Sequence, residues 1–381
     1  MKRRRVAVIG VGSTAFRCVS PDLSYREITH EAATKAYLDA GVSPHDIDGF
    51  ISCAEDLFEG YSICDEYTPD QLGAVLKPVH TVPGDALQGV AVAVMMIMTG
   101  QFDIVAVQSI SKASNMQTIP ELLNFAFDPL LNRPINVIVH YVAALEMNRY
   151  MYETGVTKEH CAQVVVKNRL NALNNPSAAY GAHLSIDTVL NSPVVSTPLN
   201  KLDISQHADG AVVLVLAAEE RVSALSGTPV WVEGIGWCSD SPTLESREWG
   251  EAVSTKLAAE MAYKQAGIKP NDVDIAEICD EYSFKELQHM EALGLCAPGE
   301  AKYLLESGET QRDGIIPVNV SGGALGVGHL FECSGAHKVA EICTQLRGQA
   351  GARQVKDAKI GLVQSWRGVP TTTSAVAVLA I

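Results

Sequence analysis

AATKAYLDAGVSPHDIDGFISC, residues 32–53, returns 226 residues later as AAEMAYKQAGIKPNDVDIAEIC, residues 258–279. Ala32/Ala258, Ala33/Ala259, Tyr37/Tyr263, Gly41/Gly267, Pro44/Pro270, Asp48/Asp274 and Cys53/Cys279 coincide without a gap. Each copy reads as an alanine-rich helix stopped by glycine, then a proline-containing turn, then an apolar strand. An ungapped match of this length marks an internal duplication.

Further along, FDIVAVQS (Phe102–Ser109) and AKIGLVQS (Ala358–Ser365) also read as matching strands. Each half then runs strand, helix, strand, helix, strand, with strands apolar enough to be covered on both faces. The expected class is α/β, two halves packed as layers. Residues 1–225 form the N-terminal half and 226–381 the C-terminal half. A non-repeated insert spans about 113–190. It holds a helical-looking VIVHYVAALEMNRYMYETG and a polar NRLNALNNPSAAYGAHLS. Insertions of that length carry binding function.

Composition narrows the class. The 381 residues are 47% apolar and 19% charged, a globular balance with room for two domains. A net charge of −15 argues against nucleic acid, which demands a basic face. The basic MKRRR start is followed by too short an apolar stretch (Val6–Val11) for a signal peptide. The longest apolar run, Val90–Met98, is about half a membrane span. A soluble, cytoplasmic protein with no membrane partner is expected. The nine cysteines form no CxxC pair, so neither a disulfide framework nor a metal site is expected.

Five stretches carry candidate chemistry. VPGDALQGVAV (Val82–Val92) is a tight turn feeding a helix, the kind that presents a nucleophile, yet it offers Ala86. GVGSTA (Gly10–Ala15) satisfies GxGxxA after a strand, a weak dinucleotide signal. Its counterpart VEGIGW keeps glycines without a phosphate pattern, and any tight turn uses glycine. SGGALGVGHLFECSG (Ser321–Gly335) crowds five glycines around His329, an imidazole suited to proton transfer. EICDEYSF (Glu277–Phe284) gathers Cys279, Asp280, Glu281 and Tyr282 at a strand end. There Cys279 and Glu281 share a face as acid/base candidates, and Asp280 reads as a helix cap. SWRGVPTT (Ser365–Thr372) carries Arg367, which can fork onto a carboxylate or phosphate.

At these motifs the chain resembles the thiolase superfamily, in the branch near sterol-carrier-type thiolases. VSTPLNKLDISQHADGAVVLVLAAEE resembles the segment closing that family's first half. DEYSFKELQHMEALGLCAPGEAKYLLESGET, continuing to IPVNVSGGALGVGH, resembles the run between its second-half catalytic loops. The resemblance covers nearly the whole chain. It implies a duplicated, five-layered αβαβα thiolase fold, a dimer, acyl-CoA substrates and no permanently bound cofactor, with coenzyme A as a substrate.

The departures from that pattern define the problem. Ala86 stands where the family's reactive cysteine sits. Cys279, Asp280, Glu281 and Tyr282 stand where relatives read His-Asp-Cys-Phe. His329 matches the GHP histidine, but Leu330 and Glu332 replace its proline and glycine, and the C-terminal loop supplies no cysteine. The Ala86 turn and Gly328 remain as candidate backbone positions for an oxyanion.

An acyl-enzyme at Ala86 is therefore unsupported. Coenzyme A thiolate can attack a β-keto carbon directly, deprotonated by His329 or Cys279, with Glu281 returning a proton to the enolate. Cys279 carrying the acyl group is a variant of this route. Two cysteine-lacking groups of the family frame the choice: the thiolase-like subunit of benzoylsuccinyl-CoA thiolase, and thiolase-like retro-aldolases of steroid side-chain degradation. Both imply a small zinc-ribbon/OB-fold partner. Thiolysis of a β-ketoacyl-CoA, with 2-benzoylsuccinyl-CoA as the candidate and Arg367 on a substrate carboxylate, is the leading expectation. A retro-aldolase, with Tyr282 as phenolic acid/base, and a non-catalytic scaffold subunit are the alternatives.

Overall fold

A computed structural model describes residues 4–55, 63–116, 118–223, 228–368 and 372–381. Met1, Lys2 and Arg3 of the basic start, and Val369, Pro370 and Thr371 of SWRGVPTT, lie outside the described residues.

The first half runs β1 (Val6–Ser13), α1 (Tyr25–Ala40), β2 (Gly49–Cys53), β3 (Val79–Val82), α2 (Ala86–Met98), β4 (Ile104–Ser111) and β5 (Gly210–Ala218). Helices α3 (Val139–Thr154) and α4 (Lys158–Ala172) lie between β4 and β5. The second half runs β6 (Val230–Ser239), α5 (Val253–Ala266), β7 (Ile275–Glu277), α6 (Ser283–Ala292), α7 (Ser334–Leu346), β8 (Ile360–Arg367) and β9 (Thr373–Ala380).

The strands form one nine-stranded sheet in the order β3-β2-β4-β5-β1-β6-β9-β8-β7. In the first block β2 is parallel to β3 and β4, β5 is antiparallel to β4, and β1 is antiparallel to β5. The second block repeats this: β7 parallel to β8, then β9 and β6 antiparallel in turn. Ala7 facing Trp231 and Val8 facing Val230 join the blocks, so β1 and β6 close each other's open edge.

Three apolar cores make the layers. Ala32 and Ala36 of α1 pack on Ala7, Ile9 and Val213, the outer face of the first block. Ala258 and Ala262 of α5 pack on Leu362 and Val376, the outer face of the second. Helices α2 and α7 fill the centre, where Val90 and Val339 meet Val8, Leu214, Val363 and Ala377. The result is the five-layered αβαβα arrangement.

The repeated residues do the same work twice. A Cβ on Gly10 or Gly12 would lie 2.3 Å from Ala36 O or 2.1 Å from Ala32 O. A Cβ on Gly234 or Gly236 would lie 2.1 Å from Ala262 O or 2.3 Å from Ala258 O. The glycines of GVGSTA thus let helix and strand touch backbone to backbone, which accounts for the dinucleotide-like spacing. Asp48 accepts from Asp103 N and Ile104 N at 2.8 and 2.9 Å, and Asp274 accepts from Lys359 N and Ile360 N at the same distances. Tyr37 and Tyr263 each donate to a carbonyl, Leu72 O and Leu293 O.

The symmetry breaks at the last matched pair. Cys53 is locked against Gly89 of α2, whereas Cys279 faces open space. The central helices begin side by side: Asp85 caps α2 through Leu87 N (2.8 Å) and accepts from Gly335 N of α7 (2.9 Å). A Cβ on Gly335 would lie 1.8 Å from the Asp85 carboxylate, so only glycine fits there.

Candidate active site

A cavity of about 510 Å³ opens where the strand ends of the second block meet the start of α7. Met116, Ile119, Leu123 and Val139 form an apolar wall supplied by the stretch between β4 and β5. The other wall is polar. Cys279, Glu281 and Tyr282 reach it from the loop after β7, His329 from the glycine loop, and Arg367 from the end of β8. A second cavity, about 370 Å³ between α5 and α6, is lined by none of these residues.

Burial sets the electrostatics. It pushes the Glu281 carboxyl up to about 7, against the opposing charges of His140, Lys285 and Lys338. A carboxyl poised there can take and return a proton near neutral pH. Burial also pushes the Cys279 thiol up to about 11, so sulfur stays protonated; its Sγ lies 3.9 Å from Trp366 O. The Tyr282 phenol, fully buried and beside Glu281, is held well above its ordinary range.

His329 is pinned by its backbone: its N–H donates to Gln206 O at 2.7 Å and its carbonyl accepts from Ala208 N at 3.0 Å. Its Nδ1 lies 3.2 Å from Nδ1 of His207. Desolvation, then Lys338, pushes the His329 imidazole down to about 4; desolvation, then His329 itself, takes His207 to about 3. Two neutral rings sharing one Nδ1–H must adopt opposite tautomers, leaving one Nε2 as an acceptor and the other as a donor. Phe331 stacks on His207 at 4.7 Å with φ of 50°, a left-handed conformation a bulky side chain rarely adopts.

Three positions differ from the sequence expectation. Ala86 begins α2 but is fully buried and lines no part of the cavity, and the Leu87 amide beside it is committed to Asp85. Gly328 N–H, considered as an oxyanion donor, donates to Ala324 O at 3.0 Å and so closes the glycine loop on itself. Asp280 caps the short helix Gly323–Val327, through Ala324 N (2.6 Å) and Leu325 N (3.1 Å), and not the helix that follows it in sequence. Arg367 lines the cavity, yet its guanidinium already pairs with Glu55 and, at 3.4 Å, with Glu332.

Sequence reasoning passed over His140, His207, Asp85 and Lys338, all of which line the cavity. His140 comes from α3 and places Nδ1 3.2 Å from the Tyr282 hydroxyl; desolvation pushes its imidazole down. Burial raises the Asp85 carboxyl. Lys338 looks outward from AHKVAEICTQLRG only if that helix is taken as a surface one. Among the described residues, no group of three or more His, Cys, Asp or Glu could hold a metal ion, and no helix is long and apolar enough to cross a membrane.

Known proteins place this geometry. A family model described as thiolase C-terminal domain-like matches residues 238–381. An acetyl-CoA acetyltransferase of Methanothermobacter thermautotrophicus is 33% identical over 377 residues, covering 97% of this chain and 98% of the relative. The chain belongs to the thiolase superfamily. It is a thiolase-like enzyme of CoA thioesters. Benzoylsuccinyl-CoA thiolase subunit BbsB of Thauera aromatica is 38% identical over 214 residues, 56% of each chain. Among solved thiolase-fold structures, the Ltp2-ChsH2(DUF35) aldolase superposes with a TM-score of 0.86 at 27% identity, covering 99% of this chain and 97% of that one.

Proposed function

We propose that this thiolase-like enzyme cleaves a carbon–carbon bond next to a CoA thioester without forming an acyl-enzyme, by retro-aldol cleavage of a β-hydroxyacyl-CoA. The observation that carries the reading is the pairing of a Glu281 carboxyl poised at about 7 with a Cys279 thiol held at about 11. Glu281 is placed to carry a proton, while Cys279, the cysteine among the described lining residues, is held as a thiol. Glu281 takes the β-hydroxyl proton, the β-oxygen electrons form the carbonyl, and the Cα–Cβ pair leaves as a thioester enolate. Protonated Glu281 then returns the proton to Cα. Tyr282, its proton held by burial, and His140 position the β-oxygen, while the neutral His207–His329 pair orders the opposite side. The likeness to an aldolase at a TM-score of 0.86 supports this reading.

A second reading rests on the 38% identity to BbsB. In it, free coenzyme A adds to the β-keto carbon of a substrate such as 2-benzoylsuccinyl-CoA, with His329 as base. The imidazole pushed down to about 4 is a weak base for a thiol, which places this reading second. Under either reading we propose that the chain works with a second subunit, a reading supported by the names benzoylsuccinyl-CoA thiolase subunit BbsB and Ltp2-ChsH2(DUF35) aldolase. The homodimer core and the small zinc-ribbon/OB fold of that partner rest on the family resemblance alone.

Turnover of a branched β-hydroxyacyl-CoA and of 2-benzoylsuccinyl-CoA, each with and without free coenzyme A, separates the readings. Co-purification with products of neighbouring genes, followed by mass measurement of the complex, tests the assembly.

A further inference from the structure

Four lysines are buried among the described residues: Lys112, Lys167, Lys285 and Lys338. Three of them meet a carboxylate. Lys112 pairs with Asp209 at 2.7 Å, Lys167 with Glu286 at 2.8 Å and Lys285 with Glu146 at 2.5 Å. Among the described residues Lys338, 3% exposed, makes no such ion pair; its Nζ donates to Gln364 O at 3.2 Å. An ammonium carries three N–H donors, and among the described residues one of them is accounted for by Gln364 O. In place of one paired carboxylate, Lys338 faces the Asp85, Asp280 and Glu281 carboxyls, and its charge favours the ionised form of each. A buried cation so placed on a cavity wall is a functional-site candidate.

Lys338 lies on the second turn of α7 and lines the 510 Å³ cavity with Cys279, Glu281 and His329. The backbone donors considered for an oxyanion already have partners: Leu87 N, at the Ala86 turn, donates to Asp85, and Gly328 N to Ala324 O. The other cation on the cavity wall, Arg367, is paired with two carboxylates.

We propose that Lys338 Nζ is the donor that holds the thioester oxygen of the substrate as it becomes the enolate oxygen. The proposal rests on the C–C cleavage reading above and deepens it. Charge balance favours an enolate over a permanent substrate carboxylate. A carboxylate would add a permanent anion beside the buried Asp85 and Glu281 carboxyls. The enolate appears only as Glu281 takes up its proton, so the net charge near Lys338 is unchanged when the bond breaks. The Cα–Cβ electron pair ends on the thioester oxygen beside Nζ, and the proton that Glu281 took from the β-hydroxyl goes to Cα. Such preorganised donors act on charge that develops in the transition state.

The reverse of that last step needs only a product-like thioester, so the probes are acetyl-CoA and propionyl-CoA in D2O, with α-deuterium uptake read by mass spectrometry. Wild-type protein is expected to exchange the α-protons. Lys338→Met should slow exchange by about 10²–10³-fold while Kd for the probe changes far less. Lys338→Arg, which keeps charge and donors, should retain more of the rate than Lys338→Met. Removing the ammonium should also move the Glu281 limb of the rate profile to higher pH. Melting curves check that each variant is folded.

Exchange by Lys338→Met at the wild-type rate overturns the proposal. So does a loss of exchange matched by an equal loss of probe binding. If wild type cleaves a β-hydroxyacyl-CoA and Lys338→Met cleaves it equally well, the cleavage reading stands and the lysine assignment falls. If wild type neither cleaves nor exchanges, the cleavage reading falls and takes the lysine assignment with it.

Discussion

The Tyr282 hydroxyl and His140 Nδ1 meet at 3.2 Å, across 142 residues of chain. Burial holds the phenol protonated and the imidazole neutral, so Tyr282 O–H donates and His140 accepts. Tyr282→Phe removes the donor while keeping the ring that packs beside Phe284. Turnover should fall by about 10²-fold or more, and stability by about 1–3 kcal/mol because His140 loses its partner. Steady-state kinetics and urea unfolding on the same preparation check both.

Glu281 sets the pH dependence. Acting first as a base, it works ionised, so kcat should rise with pH up to about 7 and level above it. Glu281→Gln should abolish the limb along with the activity. Stability runs the other way. A folded value of about 7 against an unfolded one of about 4.3 means the folded state binds the proton more tightly. That contribution is full below about pH 4 and lost as pH rises through 7. Glu281→Gln should therefore gain in Tm relative to wild type between pH 5 and 8.

Cys279 is the residue that a covalent mechanism needs. With its thiol held at about 11, Cys279→Ser should keep turnover within about tenfold of wild type, and iodoacetamide should modify this cysteine slowly at pH 7. A stable mass increase on Cys279 after mixing with acyl-CoA would point to the covalent variant instead.

The duplicated glycines are a stability prediction with an internal control. Gly12→Ala and Gly236→Ala place a methyl about 2 Å from Ala32 O and Ala258 O. Each should destabilise by about 1–3 kcal/mol or more, and by similar amounts, because the two packings are equivalent. Chemical denaturation of both variants measures this.

The fold was legible because the duplication repeats contacts as well as letters. Asp48 and Asp274, Tyr37 and Tyr263, and the two glycine pairs satisfy the same groups in each half. The polar wall was legible in part, since Cys279, Glu281, Tyr282, His329 and Arg367 sit at strand ends and in a glycine-rich loop, where local sequence is distinctive. His140 and His207 carry no such signal; one stands in an apolar helix, the other in a loop, and only tertiary folding brings them to Tyr282 and His329. Lys338 went unread because its helical run carries no local signal of a site; α7 is a central helix, buried on nearly every side, and tertiary folding brings Lys338 to the cavity. Asp280 was correctly read as a cap and misassigned to its own helix, because the helix it caps is 43 residues further on. The Gly328 N–H makes a local bond to Ala324 O that the sequence does not show.

The most direct test of the account is the release of an aldehyde or ketone from a branched β-hydroxyacyl-CoA, by the purified protein with any co-purifying partner retained. Carbonyl release at the same rate with and without free coenzyme A, abolished by Glu281→Gln and preserved by Cys279→Ser, is the predicted result. Cleavage confined to 2-benzoylsuccinyl-CoA or another β-ketoacyl-CoA, and strictly dependent on free coenzyme A, would contradict it.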